Sequence, residues 1–265
     1  MIYKFDNEEH LHLLDGKALT GTSSVGNVLA KNLTWWAAEL SAIECLEVGE
    51  QIPTIRAEYE EACASGDKKK AIDALQKKYP LFKKARFAHF AKKNDSAKKG
   101  TDLHAQLENW VKWKMGKCKL ELYDPKIEPF IKWANENVKE FIASEANCYS
   151  ERLWVGGIVD CVARMNDGKL AIVDFKSAKA AYTGHFIQCA GYALQLEENG
   201  LFNETGTANK KLEGKIEKLI VVPFGAPEIV PEVREFLAVD EFKKGFEQAT
   251  FLYRLIALDE NIKES

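Results

Sequence analysis

Apolar and polar positions divide the chain into two kinds of segment. Leu153 to Met165 and Lys169 to Lys176 are rich in Val, Ile and Leu, with the turn sequence Asn166-Asp167-Gly168 between them. That pattern predicts a β-hairpin. Ile142 to Tyr149 reads as the strand before it. Leu219 to Val222 reads as a buried strand, and Glu235 to Val239 as a further strand candidate. Helical spacing governs most of the rest. It runs through Val28, Leu29, Leu33, Trp36, Leu40, Ile43 and Leu46, then through Pro53 to Lys99 as two or three helices broken near Ser65-Gly66-Asp67 and Tyr79-Pro80. Ala91 to Lys99 reads as a mobile connection or a frayed helix end. A helix from Thr101 to about Met115, capped by Thr101 or Asp102, follows, then one from Pro125 to Phe141. Ala180 to Glu198 and Asp240 to Ile262 complete the helices, the last with Phe242, Phe246, Ala249, Tyr253 and Ile256 at helical intervals. Met1 to Lys17 reads as extended or loop. The expected fold is α/β: a central mixed sheet flanked by helices. One domain over residues 1–265 is expected, mainly helical over 1–140 and sheet-containing over 141–265.

The hairpin carries the chemistry. With the loop at Asn166-Asp167-Gly168, Met165 faces Lys169, and counting back sets Asp160 opposite Asp174. Opposed residues share a face with Cβ atoms ~4.5–5.5 Å apart. Lys176 returns to that face by the strand period of two, while Phe175 points into the core. Carboxylates that close raise each other's pKa unless a cation lies between them. Their oxygens suit a hard divalent ion such as Mg²⁺ or Mn²⁺, which can activate water at a phosphoryl group. The lysine can orient or deprotonate that water, or neutralise the developing oxyanion. The pattern therefore points to metal-assisted phosphodiester hydrolysis, with a plain surface salt bridge as the alternative. Gln188 and Tyr192 stand at i and i+4 on the following helix, so both reach one place.

Charge adds a second clue. The net charge is −3, but Lys68 to Lys99 holds twelve Lys or Arg against Asp73 and Asp95. Such a segment, with Lys92, Lys93, Lys98 and Lys99 at its end, is either a polyanion-binding face or a solvated helical surface. Ser23 or Ser24 is a candidate N-cap whose helix start could hold phosphate. Trp35 and Trp36 could stack on bases, although tryptophans on an apolar face are more often core. The six cysteines form no C-x-x-C pair, which favours free thiols in a reducing compartment. With no apolar run long enough for a bilayer and no signal-peptide pattern at Met1-Ile2-Tyr3-Lys4, a cytoplasmic protein without a membrane partner is expected.

Val159-Asp160, then Asp174-Phe175-Lys176-Ser177, then Gln188-x-x-x-Tyr192, together resemble the PD-(D/E)xK nuclease superfamily, and within it the RecB-like exonuclease branch. Gly100-Thr101-Asp102-Leu103-His104 fits that branch's upstream histidine context, and Thr20 to Trp36 resembles the N-terminal region of phage members. Val159 stands where the superfamily's name has proline. The resemblance implies a restriction-endonuclease-like core and a DNA exonuclease of phage-type replication or recombination in an infected or bacterial cell, with DNA and a partner protein of that pathway as its partners. It implies metal ligation by Asp160, Asp174, the Phe175 carbonyl and His104, whose lone-histidine alternative is packing or a capping contact. Lys176 would position the water, and Gln188 and Tyr192 the substrate. Glu145 corresponds to an acidic region of related exonucleases, and is equally readable as an exposed strand-edge glutamate. Ser23 and Ser24 would lie near DNA. Members with an iron–sulfur cluster use cysteines near the C-terminus, and none follows Cys189, so no cluster is expected. A structure-specific or restriction-like endonuclease, or a non-catalytic DNA-binding subunit, is the alternative function.

Overall fold

The structure is a computed structural model. It describes residues 2–29, 34–64, 67–203, 206, 209–226, 228–235 and 237–264. Contacts divide the chain into two compact units, Met1–Ala30 with Gly100–Ser265, and Lys31–Lys99.

The first unit begins with strands where an extended or loop segment was expected. β1 (Tyr3–Asp6), β2 (Leu11–Leu14) and β3 (Lys17–Ala18) form a small antiparallel sheet. Its buried face stacks Tyr3 on Tyr149, with ring centroids 4.5 Å apart. The alternation that marks such strands spans only four residues here, too few to stand out in sequence. β4 (Thr20–Gly21) then pairs parallel with a central strand, and α1 (Thr22–Gly26) follows at once. Gly21 occupies the N-cap with extended backbone and no side-chain cap bond, so neither Ser23 nor Ser24 caps this helix; both lie inside it.

In the second unit, α2 (Thr34–Val48), α3 (Ile52–Cys63), α4 (Lys68–Lys78) and α5 (Pro80–Arg86) bury Val48, Ile55, Leu75 and Ala85 together. Asp67 caps α4 by accepting from the Lys70 N–H at 3.0 Å. Pro80 opens α5 at the position where its missing N–H costs nothing.

α6 (Ala88–Lys114) overturns two expectations. No break or cap exists at Thr101 or Asp102, and Ala91 to Lys99 is helical backbone. The small and charged residues there lack an apolar stripe, yet Ala, Lys and Asp interrupt no helix sterically. Leu107, Trp110 and Val111 are buried in its second half, and Lys114 is exposed with its ammonium 5.5 Å from the Trp110 ring centre. α7 (Glu128–Asn137) stops well short of Phe141, because Val138 is already extended and opens β5 (Val138–Ser150). Val138 to Phe141 has β-branched and aromatic residues that serve either structure, and pairing with Ala163–Met165 decides it.

β6 (Val155–Met165) and β7 (Leu170–Lys176) form the predicted hairpin, with Met165 N–H donating to Lys169 at 2.9 Å. α8 (Thr183–Asn199) follows, then the short β8 (Leu201–Phe202) and β9 (Asn209–Lys210), β10 (Ile216–Pro223), β11 (Glu232–Glu235) and α9 (Leu237–Glu264). The strand expected over Glu235 to Val239 is thus the end of β11 and the start of α9. Among the described residues the main sheet has eight strands in the order β11-β10-β7-β6-β5-β8-β9, with β4 alongside β6. β10 runs parallel to β7, while β6 runs antiparallel to both β5 and β7, so the sheet is mixed.

Helices cover both faces. Phe186, Cys189, Ala190, Ala193 and Leu196 of α8 pack on Val159, Val162, Ile172, Leu219 and Val221. Leu107, Trp110, Ile127 and Phe130 pack on Cys161, Ala163, Val173, Phe175 and Ile220. Fully buried Phe130 and Phe186 each contribute ~1.5–3 kcal/mol of transfer free energy. α9 docks on α8 through Gly191, where an added Cβ would fall 2.4 Å from the Phe246 ring. The protein is therefore α/β, with a mixed sheet between helical layers. Among the described residues no helix is long and apolar enough to cross a membrane.

Candidate metal centre

The β6–β7 register is the one the turn dictates. Cys161 pairs with Val173 and Arg164 with Leu170, so the next step sets Asp160 level with Asp174. The ladder ends at that step. Asp160 instead turns its Oδ2 to accept the Phe175 N–H at 2.7 Å. On the other side, β5 runs Ser144 against Cys161 and Ala146 against Val159, which puts Glu145 level with Asp160. Three acids therefore stand abreast on neighbouring strands.

α6 supplies the remaining groups. His104 Nε2 lies 3.3 Å from Asp160 Oδ2, and the imidazole edge meets the Phe175 ring at 5.7 Å between centres. His104, Glu108 and Glu145, all half-buried, offer ligand atoms within 4.8 Å of one another, a group that could hold a metal ion. Glu108 follows His104 by one helical turn, which places both on the same side of α6. Its carboxylate also accepts from Lys112.

Lys176 Nζ is 2.7 Å from Asp174 Oδ2. Asp174 Oδ2 is thus held in an ion pair, while Asp174 Oδ1 and Glu145 Oε1 are buried without a hydrogen-bond partner. Lys176 is fixed through its backbone, since its carbonyl accepts from Phe224 N–H at 2.9 Å at the end of β10.

Electrostatics mark the cluster as over-acidic. Burial, reinforced by Asp160, pushes Asp174 up to about 6. Burial, with Asp160 and Glu108 beside it, pushes Glu145 up to about 7. Burial would also raise Asp160, but the hydrogen bond to His104 and the charge of Lys176 outweigh it and hold this carboxyl below its usual range. Burial opposes the charge on Lys176, yet Asp174 and Asp160 keep it firmly protonated. His104 behaves alike: burial lowers its pKa, and Asp160 more than restores it. Orphaned carboxylate oxygens, a single imidazole and depressed acidity are what a hard divalent cation relieves.

Gln188 and Tyr192 meet as their spacing implies, with Gln188 Nε2 donating to the Tyr192 hydroxyl at 2.7 Å. Burial, then Asp174 and Asp160, keep the phenol neutral by raising its pKa well above the ordinary value. Gly157 admits Tyr192 to the strand, since a Cβ there would lie 2.6 Å from the ring and 2.6 Å from Thr22 Oγ1. Thr22 ties three elements together: it donates to the Gly156 carbonyl at 3.0 Å and accepts from Gln195 at 2.8 Å. Ser23, Ser24, Ile158 and Tyr192 line one cavity of about 380 Å³. The side chains of Lys92, Lys93, Lys98 and Lys99, and of Trp35 and Trp36, lie outside the described residues.

The structure thus gathers Asp160, Asp174, Lys176, His104 and Glu145, with Gln188 and Tyr192 on the adjoining helix. Sequence reasoning missed Glu108 as a member. The one available signal was its spacing from His104 on a helix. The Phe175 backbone N–H is occupied by Asp160, which fixes the strand step at which a carbonyl ligand would sit. Compared with known protein families and with curated proteins, the chain matches none.

Proposed function

We propose that the chain is a divalent-metal-dependent deoxyribonuclease with a restriction-endonuclease-like core, of the exonuclease type its motifs resemble. One observation carries this reading: His104, Glu108 and Glu145 offer ligand atoms within 4.8 Å of one another, Asp160 lies 3.3 Å from His104, and Asp174 on the next strand holds Lys176 at 2.7 Å. Asp160, Asp174, Glu145, His104 and Glu108 are the residues that would hold Mg²⁺ or Mn²⁺. Such an ion, when bound, supplies Lewis acidity to a phosphoryl oxygen and lowers the pKa of water.

The chain's own groups do the rest. Lys176 presents a fixed cation beside Asp174, suited to orient water and to offset charge gathering on the phosphate. Asp160 is itself fixed by the Phe175 N–H, 3.3 Å from His104 Nε2. The Gln188–Tyr192 pair offers an amide and a neutral hydroxyl toward the substrate side of α8.

The test uses end-labelled linear single- and double-stranded DNA beside a covalently closed circle, each with and without Mg²⁺ or Mn²⁺. Degradation of the linear DNA alone, lost in Asp174→Ala and Lys176→Ala proteins that keep native circular dichroism, is the expected result. Nicking of the circle makes the enzyme an endonuclease. Gel retardation without cleavage makes it a binder, and metal-dependent cleavage surviving in both variants overturns the site.

A further inference from the structure

A second cavity, of about 490 Å³, opens on the opposite side of Glu145 from β6, between β5 and the β8–β9 pair. We propose that it is a nucleotide subsite, taking the nucleoside monophosphate unit that adjoins the cleaved phosphodiester. This rests on the nuclease reading for its place in the reaction.

The backbone creates it. Glu145 has φ of 50°, in the left-handed region that a glutamate rarely adopts, while the β5–β6 pairing continues in register on either side of it. Five consecutive residues of β5, from Ile142 to Ala146 and so including Ser144 and Glu145, line the cavity. Glu145 therefore belongs to the cation cluster and to the cavity wall at once, and a ligand seated here lies against the metal centre. Ser144 is 8% exposed, yet its hydroxyl has no hydrogen-bond partner. Leaving a buried hydroxyl unmade is costly, and a bound polar ligand relieves it.

The other walls fit a nucleotide. Lys117 and Lys210 are exposed cations suited to a phosphate, Asn203 adds polar capacity, and Phe202 with Leu201 offers an apolar surface to sugar or base. The volume lies within the ~300–1,000 Å³ of small-molecule sites.

Equilibrium binding of dAMP in Mg²⁺ tests the assignment, with inorganic phosphate as the probe lacking sugar and base. Wild type should bind dAMP more tightly than phosphate. Lys210→Glu and Lys117→Glu should each weaken dAMP about tenfold, the effect of ~1.4 kcal/mol. Ser144→Ala should weaken dAMP while melting no lower than wild type, because the hydroxyl it removes has no partner in the free protein. Equal affinity for dAMP and phosphate, or charge reversals without effect, overturns the subsite. DNA cleavage is scored separately. A protein that binds dAMP as described but cleaves nothing sinks the nuclease reading alone, and an active nuclease with no dAMP preference sinks the subsite alone.

Discussion

Replacing Asp174 with asparagine tests the idea that the centre is built for an ion and strained without one. Asp174 is fully buried, with Lys176 on its Oδ2 and no hydrogen-bond partner on its Oδ1. Burial chiefly, and then Asp160, lift its pKa from an ordinary 3.8 to about 6, even with Lys176 opposing. At ~1.4 kcal/mol per pKa unit, ionising it in the folded protein costs up to about 3 kcal/mol. The sign follows from linkage. Between 3.8 and 6 the folded state holds this proton more tightly than the unfolded chain does, so stability falls as pH rises through that window. The cost is complete above about 6. Asp174→Asn keeps the shape and removes the charge. In EDTA at pH 8 the variant should therefore be more stable than wild type by up to about 3 kcal/mol, which is at most roughly 6–12 °C in melting temperature for a chain of this size. The gain should shrink toward zero near pH 4.

Manganese should reverse the order. An ion at a hundred times its dissociation constant stabilises the protein that binds it by about 2.7 kcal/mol. Wild type should gain that amount, and Asp174→Asn, lacking a ligand, much less. Thermal denaturation followed by near-ultraviolet circular dichroism, at pH 4 and pH 8, with EDTA or Mn²⁺, gives all the comparisons. A variant that melts below wild type at pH 8 in EDTA, or an equal Mn²⁺ shift in both proteins, refutes the reasoning.

Three further outcomes are expected. His104→Ala and Glu108→Gln should each weaken Mn²⁺ binding at least tenfold, about 1.4 kcal/mol, by isothermal titration calorimetry, and unchanged affinity would remove both from the centre. His12, whose Nδ1 meets the Tyr3 hydroxyl at 2.6 Å, is pushed by burial from 6.5 down to about 4. Its neutral form is the one the fold holds, so stability should be full above pH 6.5 and fall by about 3 kcal/mol as pH drops toward 4. Urea titrations of wild type against His12→Phe should show that slope in wild type and a shallower one in the variant. Gly191→Ala drives a methyl into the Phe246 ring and should cost ~1–3 kcal/mol by overpacking, read as a lower urea midpoint; an unchanged midpoint would show that α9 moves aside freely.

What the sequence disclosed follows from how each part is encoded. A strand repeats every two residues and its turn announces the register, so Asn166-Asp167-Gly168 sufficed to set Asp160 level with Asp174 and to return Lys176 to the Asp174 side. The Gln188–Tyr192 pair was equally local, four residues apart on one helix. The limits of α6 were not, because helices can run through polar stretches that carry no stripe, and residues before Gly100 bear none. Glu108 was hidden for a related reason. Its role depends on how α6 lies over β5, a tertiary fact that no periodicity in either segment encodes. Glu145 shows the deepest limit. Its alternation reads as an ordinary strand glutamate, yet it has a positive φ and belongs both to the ion cluster and to the wall of the neighbouring cavity. That backbone state is uncommon for a glutamate, and at metal and ligand sites such strain persists because the surrounding packing enforces it. Glycine at 145 would relax the backbone but delete the carboxylate, whereas glutamine would keep the conformation and remove only the charge. If the strain serves ion binding, Glu145→Gln should retain the fold and lose Mn²⁺ affinity, and Glu145→Gly should gain stability while losing the same affinity. Equal Mn²⁺ binding in all three proteins would mean that the kink at 145 shapes the cavity alone.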